Sequence, residues 1–156
     1  MQEYVLIYFY DFIVGSYVLL EKEKPDYQQG RYNLPGGKVE PGETPKDAAL
    51  REFWEETGIQ LSEVQKCGEI RGDDFIVHVF NGSYFGNEDV KLKTTDYEQP
   101  FWGSGRYFTE REKLMPNLQV IIPLMEYGLT NWAIYDNGPS EIGKPHTFSI
   151  TVNTDD

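Results

Sequence analysis

Apolar and aromatic residues near the start of the chain form two runs with a short polar stretch between them. Residues 3–10 and 16–23 are both rich in Val, Ile, Leu, Phe and Tyr, and Asp11 and Gly15 lie between the runs. Runs of this length, bounded by turn-forming residues, are typical of buried strands. The pattern therefore predicts a hairpin of two core strands at the start of the fold.

The same region, taken as residues 4–20, is apolar enough to be compared with a membrane span or a signal sequence. It has no basic leader, and Asp11, Gly15 and Ser16 interrupt its middle. We therefore expect two strands joined by a turn here, and no membrane segment.

Two segments rich in polar residues or glycine follow the predicted hairpin. Residues 21–30 are polar and end in glycine, which indicates an exposed loop. Residues 33–37 have the sequence Asn-Leu-Pro-Gly-Gly, and the paired glycines allow close backbone approaches that a Cβ atom would block. We expect the chain to bend at this point, before the next helix begins.

The signals for that helix lie at both of its ends. Thr44 is a hydroxyl N-cap, Pro45 stands at the first helical position, and the carboxylate of Asp47 comes three residues after the cap. Gly58 supplies the C-terminal stop. A helix over residues 45–57 is predicted.

The rest of the chain predicts strands, one more helix and one long connection. The further elements are strands over residues 64–70, 75–85 and 106–108, a helix over 116–127 that begins at Pro116 and ends before Gly128, and a hairpin within 131–152. Residues 87–105 are polar and contain glycine, which indicates a long connection. Because no repeat or linker interrupts the chain, we expect a single domain over residues 1–156.

Composition narrows the range of partners and compartments. The formal net charge is -12 with only 14 Lys and Arg residues, so the protein should repel nucleic acid polymers and anionic membrane surfaces. The alternative is that the acidic charge only keeps the protein soluble. The single cysteine, Cys67, cannot form an intrachain disulfide, which suits a reducing compartment and favours the cytoplasm.

Three glutamates of the predicted helix have the spacing of a shared face. Successive helical residues are about 100° apart, so Glu52, Glu55 and Glu56 should lie together. Apolar residues fall largely on the other side: Ala49, Leu50 and Phe53. We expect this helix to hold its acidic face outward, where carboxylates could bind Mg²⁺ or Mn²⁺; zinc would call for Cys and His. The alternative is an ordinary solvated helix face.

The residues around these glutamates form a longer pattern. From Gly37 the chain continues with five residues, Glu43, seven residues, and then Arg-Glu-Phe-Trp-Glu-Glu-Thr-Gly-Ile over 51–59. This segment matches the Nudix box at every specified position, including the apolar Phe53 and Ile59. The chain therefore resembles a Nudix hydrolase, and so many fixed positions outweigh the interpretation of the glutamates as a solvated face.

The resemblance implies a fold, a cofactor and a set of site residues. The fold would be of the α/β class, an α/β/α sandwich around a mixed β-sheet. Glu52, Glu55 and Glu56 would bind Mg²⁺ or Mn²⁺ together with a backbone carbonyl near Gly36 or Gly37, and Glu52 or Glu56 would take a proton from water. Two further residues of the box, Glu43 and Arg51, would brace the catalytic loop and helix through a salt bridge.

Members of the family usually have one more acidic metal ligand, on a loop after the central strands. Glu98 is our choice for this position, and Asp96 and Glu88 are its rivals. The resemblance does not decide among them, because residues 99–105 displace the acidic position that is usual in the family.

Residues outside the box resemble those of MutT-like members of the family, which include hydrolases of oxidised purine nucleoside triphosphates. The resemblance implies that Asn33, Lys38 and Asn117 bind the substrate, with the two amides at the edge of the base. Alternatively, Asn33 shapes a turn and Asn117 caps a helix. Aromatic stacking on the base is open to several residues: Tyr8, Tyr10, Phe75 and Trp102.

The sequence thus predicts an enzyme that hydrolyses a nucleoside triphosphate to the monophosphate and pyrophosphate with Mg²⁺. An oxidised purine deoxynucleotide is one candidate substrate. Two alternatives are a hydrolase of another nucleoside diphosphate derivative, such as a dinucleotide or nucleotide sugar, and a catalytically silent Nudix domain that senses a nucleotide. We expect a small nucleotide as the partner, no nucleic acid polymer and no membrane, and a monomer or homodimer.

Overall fold

The computed structural model describes residues 1–23, 29–95, 98–104, 110–137 and 148–153. The first half contains strands β1 (Gln2–Asp11), β2 (Ser16–Lys22), β3 (Tyr32–Asn33) and β4 (Gly36–Lys38), and helix α1 (Pro45–Thr57). The second half contains strands β5 (Glu63–Arg71), β6 (Phe75–Ser83) and β7 (Glu98–Trp102), a 3₁₀ turn (Arg111–Lys113), helix α2 (Leu118–Glu126), and strands β8 (Trp132–Asp136) and β9 (Phe148–Val152).

The strands form one mixed sheet around β1. Strand β1 pairs in parallel with β6 and antiparallel with β2 and β4. On one side the sheet continues through β5, β8 and β9, where β5 and β8 are parallel. On the other side β2 pairs with β3 and with β7. The predicted mixed sheet is confirmed.

The two helices cover opposite faces of this sheet. Alternate residues of a strand point to opposite faces. Accordingly Val5 and Ile7 of β1 pack in one apolar cluster with Phe53 of α1, while Leu6 packs in the other with Ile121 of α2. The result is the predicted α/β/α arrangement, with a core on each face. No helix among the described residues is long and apolar enough to cross a membrane.

Helix α1 begins and ends where the sequence predicts. The Thr44 Oγ1 atom accepts a hydrogen bond of 3.1 Å from the Asp47 N–H group, and Pro45 occupies the first turn. Gly58 adopts a left-handed conformation with φ 77°, and its N–H group donates to the Trp54 carbonyl. Both ends are thus fixed by local interactions, and the packing of Phe53 with Val5 and Ile7 orients the helix on the sheet.

The prediction of an uninterrupted connection over residues 87–105 was wrong, because β7 lies within it. Pro100 argues against a strand in the sequence, since proline cannot donate to a neighbouring strand. Strand β7 pairs only with β2 among the described residues, so the edge of the sheet tolerates a proline. The expected bend over residues 33–37 also includes two short strands, β3 and β4.

The predictions for the second half of the chain have three outcomes. Strands β8 and β9 pair antiparallel, which confirms the C-terminal hairpin. Helix α2 is shorter than the predicted 116–127, because residues 116 and 117 form a turn before it. The strand predicted over residues 106–108 lies outside the described residues.

Candidate active site

Strand β4 fits against β1 and α1 only because it contains two glycines. A Cβ atom on Gly36 would lie 1.9 Å from the Val5 carbonyl oxygen. With no side chain there, the Gly36 N–H group donates a hydrogen bond of 2.6 Å to Glu56 Oε1. The pairing of β4 with β1 thus places β4 against the C-terminal end of helix α1.

Gly37 makes the corresponding space for Glu52. A Cβ atom on Gly37 would lie 2.5 Å from Oε1 and 2.8 Å from Oε2 of the Glu52 carboxylate. The carboxylate therefore occupies the volume that any other residue at position 37 would fill. Two successive glycines bring two carboxylates from successive turns of α1 against one short strand.

Glu56 and Glu98 lie together with Lys22 in a nearly buried group. The Lys22 ammonium is 3.4 Å from Glu56 Oε2 and 2.6 Å from Glu98 Oε1. Lys22 and Glu98 face each other across the β2–β7 ladder. The two carboxyl groups also hydrogen-bond to each other. Strand β7 thus carries the predicted additional acidic residue to the end of helix α1.

Burial and neighbouring charges shift the pKa values of Glu56, Glu98 and Lys22. Burial, together with the hydrogen bond to Glu98, raises the pKa of Glu56 well above its ordinary value. Burial would also raise the pKa of Glu98, but its bonds to Glu56 and Lys22 outweigh burial and lower it. Burial opposes the charge of Lys22, yet the two glutamates raise its pKa overall. Within the pair, the pKa of Glu56 is therefore raised and that of Glu98 is lowered, beside the positive charge of Lys22.

Arg51 binds a second group of carboxylates. Its guanidinium donates to both oxygens of Glu43, at 2.6 and 3.1 Å, and to Glu52 Oε1 at 2.8 Å. It also reaches Glu55 Oε2 at 3.3 Å and the Lys38 carbonyl at 3.0 Å. Arg51 thereby joins β4, the loop before α1 and the helix itself.

The acidic face of α1 is less uniform than the sequence predicts. The side chain of Glu55 is 50% exposed, as expected for an outward face. Glu56, in contrast, is buried, and burial raises the pKa of Glu52 despite the neighbouring Arg51. The expectation that all three glutamates point outward was wrong for Glu56, because β4 and β7 cover this end of the helix.

The rivals of Glu98 have different positions. Glu88 lies away from this group and lines a groove beside the β1–β2 turn. Asp96 lies outside the described residues. Only Glu98 of the three is seen in contact with a glutamate of the box.

A cleft of about 920 Å³ opens beside strand β4. Gly36, Gly37 and Lys22 line one end of it, next to the carboxylates. The three residues predicted to bind substrate all line this cleft: Asn33, Lys38 and Asn117. Sequence reasoning named Phe75 only among several aromatic candidates, and it missed Lys22, Tyr4 and Asp136, which also line the cleft.

Asn33 and Asn117 differ in the hydrogen bonds of their side-chain oxygens. Asn33 Oδ1 accepts a hydrogen bond of 2.9 Å from the Leu34 N–H group, as in a local turn. Asn117 precedes α2 but makes no capping hydrogen bond. Its Oδ1 atom is buried and has no hydrogen-bond partner among the residues that the structure describes. A buried polar atom without a partner is costly, so this oxygen is an unused hydrogen-bond acceptor in a residue that lines the cleft.

The chemistry of the site suits a hard divalent cation. Its donors are carboxylate oxygens, and a lysine ammonium already lies between two of them. Across the described parts of the chain, no three acidic, histidine or cysteine side chains form a ready metal-binding cluster. Lys22 and Arg51 divide the carboxylates between them, so a divalent cation would have to displace at least part of these ion pairs.

Comparison with known families agrees with this arrangement. The sequence model of the NUDIX domain matches residues 4–111, which include β4, α1, Lys22 and Glu98. This chain belongs to the Nudix family. Divalent cations and nucleotide substrates are general properties of Nudix hydrolases, so the oxygen-rich site and the adjoining cleft are where such ligands are expected.

Individual Nudix relatives are similar over part of the chain. An oxidized purine nucleoside triphosphate hydrolase of Danio rerio is 35% identical over 92 residues, or 54% of this chain and 56% of its own. An RNA pyrophosphohydrolase of Roseobacter denitrificans is 48% identical over 73 residues, or 42% of this chain and 46% of its own. The matched region thus spans about half the length of these relatives.

A solved structure extends the similarity of the fold to nearly the whole chain. The MutT protein of Bacillus halodurans has a TM-score of 0.74 with this Nudix domain and covers 96% of this chain and 97% of its own. Its sequence is 20% identical, so the likeness concerns the fold alone.

Proposed function

We propose that this protein is a divalent-metal-dependent pyrophosphohydrolase of nucleoside triphosphates, which releases the monophosphate and pyrophosphate. One observation carries the proposal: carboxylates of the Nudix box meet strand β4 beside a cleft that is also lined by Asn117, whose amide oxygen has no partner among the described residues. The cleft joins a site suited to phosphate chemistry to a site suited to a base. The similarity to hydrolases and pyrophosphohydrolases supports the same reaction type.

Mg²⁺, or Mn²⁺ in its place, would be held by Glu52, Glu55, Glu56 and Glu98 with the Gly37 carbonyl. When bound, a divalent cation neutralises phosphate oxygens and acidifies water. The protein itself supplies carboxylates that a helix and a strand hold in place. Glu56 is fixed by the Gly36 N–H group, and Glu98 is fixed by strand pairing.

We infer that Glu52 accepts the proton from the attacking water. Its Oε1 atom accepts a hydrogen bond from Arg51, whereas no described residue hydrogen-bonds to its Oε2 atom, which lies against the backbone of Gly37. Burial raises the pKa of this carboxyl group, which makes it a stronger base than an exposed glutamate. Arg51 and Glu43 act as positioning residues, because they hold Glu52 and β4 in place.

Lys22 and Lys38 are the basic residues of the cleft that are suited to the phosphates. Lys22 pairs with Glu56 and Glu98 in the absence of substrate and would turn to a phosphate once a divalent cation satisfies these carboxylates. In the same cleft, Asn117 would bind the base edge through its Oδ1 atom and Asn33 through its amide nitrogen. Phe75 offers an aromatic surface in the same cleft.

The test is a panel of nucleotides incubated with MgCl₂, with the products separated by chromatography. The panel contains ordinary and 8-oxo-purine triphosphates, a dinucleoside polyphosphate, a nucleotide sugar and an RNA with a 5′-triphosphate. We expect triphosphates to yield monophosphate and pyrophosphate, and EDTA to stop the reaction. Preference for an oxidised purine would identify the narrower activity that the Danio rerio relative suggests.

Other outcomes would replace the proposal with a specific alternative. Faster cleavage of the dinucleotide or the sugar would indicate a hydrolase of nucleoside diphosphate derivatives. Faster cleavage of the RNA end would contradict the expectation from the net charge of -12 that polyanions are repelled. Tight nucleotide binding without turnover would indicate a sensor. From the single cysteine we infer that the reaction takes place in the cytoplasm.

A further inference from the structure

The end of the sheet opposite the cleft has a second groove, which we call the hairpin groove. It has a volume of about 740 Å³ and lies between the turn that joins β1 to β2 and residues 84–90 after β6. Strand β1 spans both places, because Gln2 and Tyr4 line the cleft while Tyr10 and Asp11 line the hairpin groove. A ligand in the hairpin groove would therefore leave the cleft open.

Large apolar side chains stand exposed around the hairpin groove. Phe12 and Ile13 on the turn are 90% and 89% exposed, and Phe85 on the facing segment is 70% exposed. Single exposed apolar residues are common on protein surfaces. A group of them on both sides of one groove is uncommon in a protein that acts alone, and it marks a contact surface.

The turn holds these side chains in a defined position. Asp11 Oδ1 accepts hydrogen bonds from the N–H groups of Ile13 and Val14, at 2.9 and 2.8 Å. The Phe12 ring packs edge-on against Tyr10, with 5.1 Å between the ring centroids. Because the turn is already ordered, a partner would lose little conformational entropy from this side on binding.

The charge around the hairpin groove is acidic. Four carboxylates line it: Asp11, Glu88, Asp89 and Glu126. Among the described residues that line it, there is no lysine or arginine. A second copy of this chain or an anionic membrane would bring like charge to this surface, since the chain itself has a net charge of -12. The complementary partner is basic as well as apolar.

We propose that the hairpin groove docks a basic, apolar peptide segment of a partner protein. Apolar side chains of the segment would cover Phe12, Ile13 and Phe85, while its lysines or arginines would pair with the acidic rim. The proposal does not depend on the chemistry of the cleft.

The test uses short fluorescein-labelled peptides and fluorescence polarisation with the full chain. The first peptide alternates leucine with lysine, the second alternates leucine with glutamate, and the third alternates glycine with lysine. We expect the leucine–lysine peptide to bind at least about tenfold more tightly than either of the others, because only it matches both the apolar and the acidic parts.

Substitutions around the hairpin groove test whether the peptide binds there. Phe12→Ser and Phe85→Ser should each weaken binding of the leucine–lysine peptide about tenfold, as expected for aromatic contacts at the centre of an interface. Glu126→Lys should weaken it about fivefold. Ile150→Ser is the matched control, since Ile150 is exposed on β9 and does not line the hairpin groove. Nucleotide hydrolysis should be unchanged in all four variants.

Several results would overturn the proposal. Equal affinity for the leucine–glutamate peptide would show that charge does not select the partner. Unchanged binding by Phe12→Ser would place the peptide elsewhere. Binding to phosphatidylcholine–phosphatidylglycerol vesicles that Phe12→Ser abolishes, without peptide binding, would assign the surface to a membrane. A dimer in sedimentation equilibrium that the same variant dissociates would assign it to a second copy.

Discussion

Arg51 and Lys22 each hold carboxylates of the site, but they do so with different numbers of bonds and on different kinds of support. Arg51 makes bonds to Glu43, Glu52, Glu55 and the Lys38 carbonyl, so its guanidinium is fixed from several segments. Among the described residues, the Lys22 ammonium pairs with Glu56 and Glu98 alone, and it is carried on a flexible stem. We therefore propose that the first cation is a structural clamp and that the second can be exchanged for another cation.

Because Arg51 and Lys22 are bound differently, substitution of their partners should have different effects. Glu43, which Arg51 binds at both carboxylate oxygens, should act mainly on the stability and shape of the loop before α1. Residues tied to Lys22 should act mainly on the binding of divalent cations. Substitutions of Glu56, Lys22 and Glu43 test this division, and substitution of Asn117 tests the cleft beside them.

The largest effect is expected for Glu56→Gln, which removes a charge from the exchangeable group. Activity with MgCl₂ should fall about 10³-fold, because a loss of several kcal/mol of charge stabilisation is equivalent to that factor. The amide still accepts a hydrogen bond from Gly36 N–H, so the fold should be retained by circular dichroism. Glu63→Gln, on the exposed start of β5, is the control. Undiminished turnover would contradict the assignment of Glu56 to the metal site.

Lys22→Met tests whether the ammonium is a replaceable counter-ion. Without metal, the variant should be less stable by about 2 kcal/mol, because two buried carboxyl groups lose their positive partner. MgCl₂ should restore most of this loss, since a divalent cation can take the place of the ammonium. Thermal unfolding with and without MgCl₂ measures both values.

Lys46→Met is the control for Lys22→Met, because Lys46 is exposed on the same helix as the box. It should change neither stability nor the response to MgCl₂. A deficit in Lys22→Met that is the same with and without MgCl₂ would show that Lys22 is structural, as Arg51 is, and would remove the contrast between the two cations.

Glu43→Gln tests the clamp. The hydrogen bond from Arg51 lowers the pKa of Glu43, so the folded protein gains stability from the charged carboxylate above the ordinary value of about 4.3. That gain is lost as the pH falls through the lowered folded-state pKa. We expect Glu43→Gln to cost about 1.5 kcal/mol at neutral pH, with or without MgCl₂, and progressively less below about pH 4.

Denaturant unfolding across this pH range measures the effect of Glu43→Gln, and Glu40→Gln is its neighbour control. Glu40 is 3.9 Å from Arg51 and largely exposed, so its loss should be small. A deficit in Glu43→Gln that grows as the pH falls would have the wrong sign for a salt bridge to Arg51.

The parts of the fold that the sequence predicted are those with local signals. Helix α1 is fixed by Thr44, Pro45 and Gly58, which lie within its own segment, so its bounds could be predicted to the residue. The glycines of β4 were recognised as permissive, but their use required β1 to be in place. Gly36 is needed because of the Val5 carbonyl, which lies far away in the sequence.

The parts of the site that the sequence missed depend on pairing between distant strands. Lys22 faces Glu98 only because β2 pairs with β7, and Pro100 hides β7 from a strand prediction. Glu98 itself was named through resemblance to the family rather than from its surroundings. The burial of Glu56 likewise follows from the coverage of α1 by other strands, which helical spacing alone does not predict.

The smallest effect is expected for Asn117→Ala, in the cleft beside the carboxylates. Its Oδ1 atom is buried without a partner among the described residues and it does not cap α2, so its loss should cost the free protein almost no stability. A bound base would supply the missing partner, so the ratio of kcat/KM between two purine triphosphates should change about fivefold, equivalent to one hydrogen bond. Asn87→Ala is the matched control, since Asn87 is exposed and does not line this cleft. An equal loss for every triphosphate would place Asn117 with the phosphate-binding residues, whereas a loss of stability without a change in this ratio would give it a purely structural role.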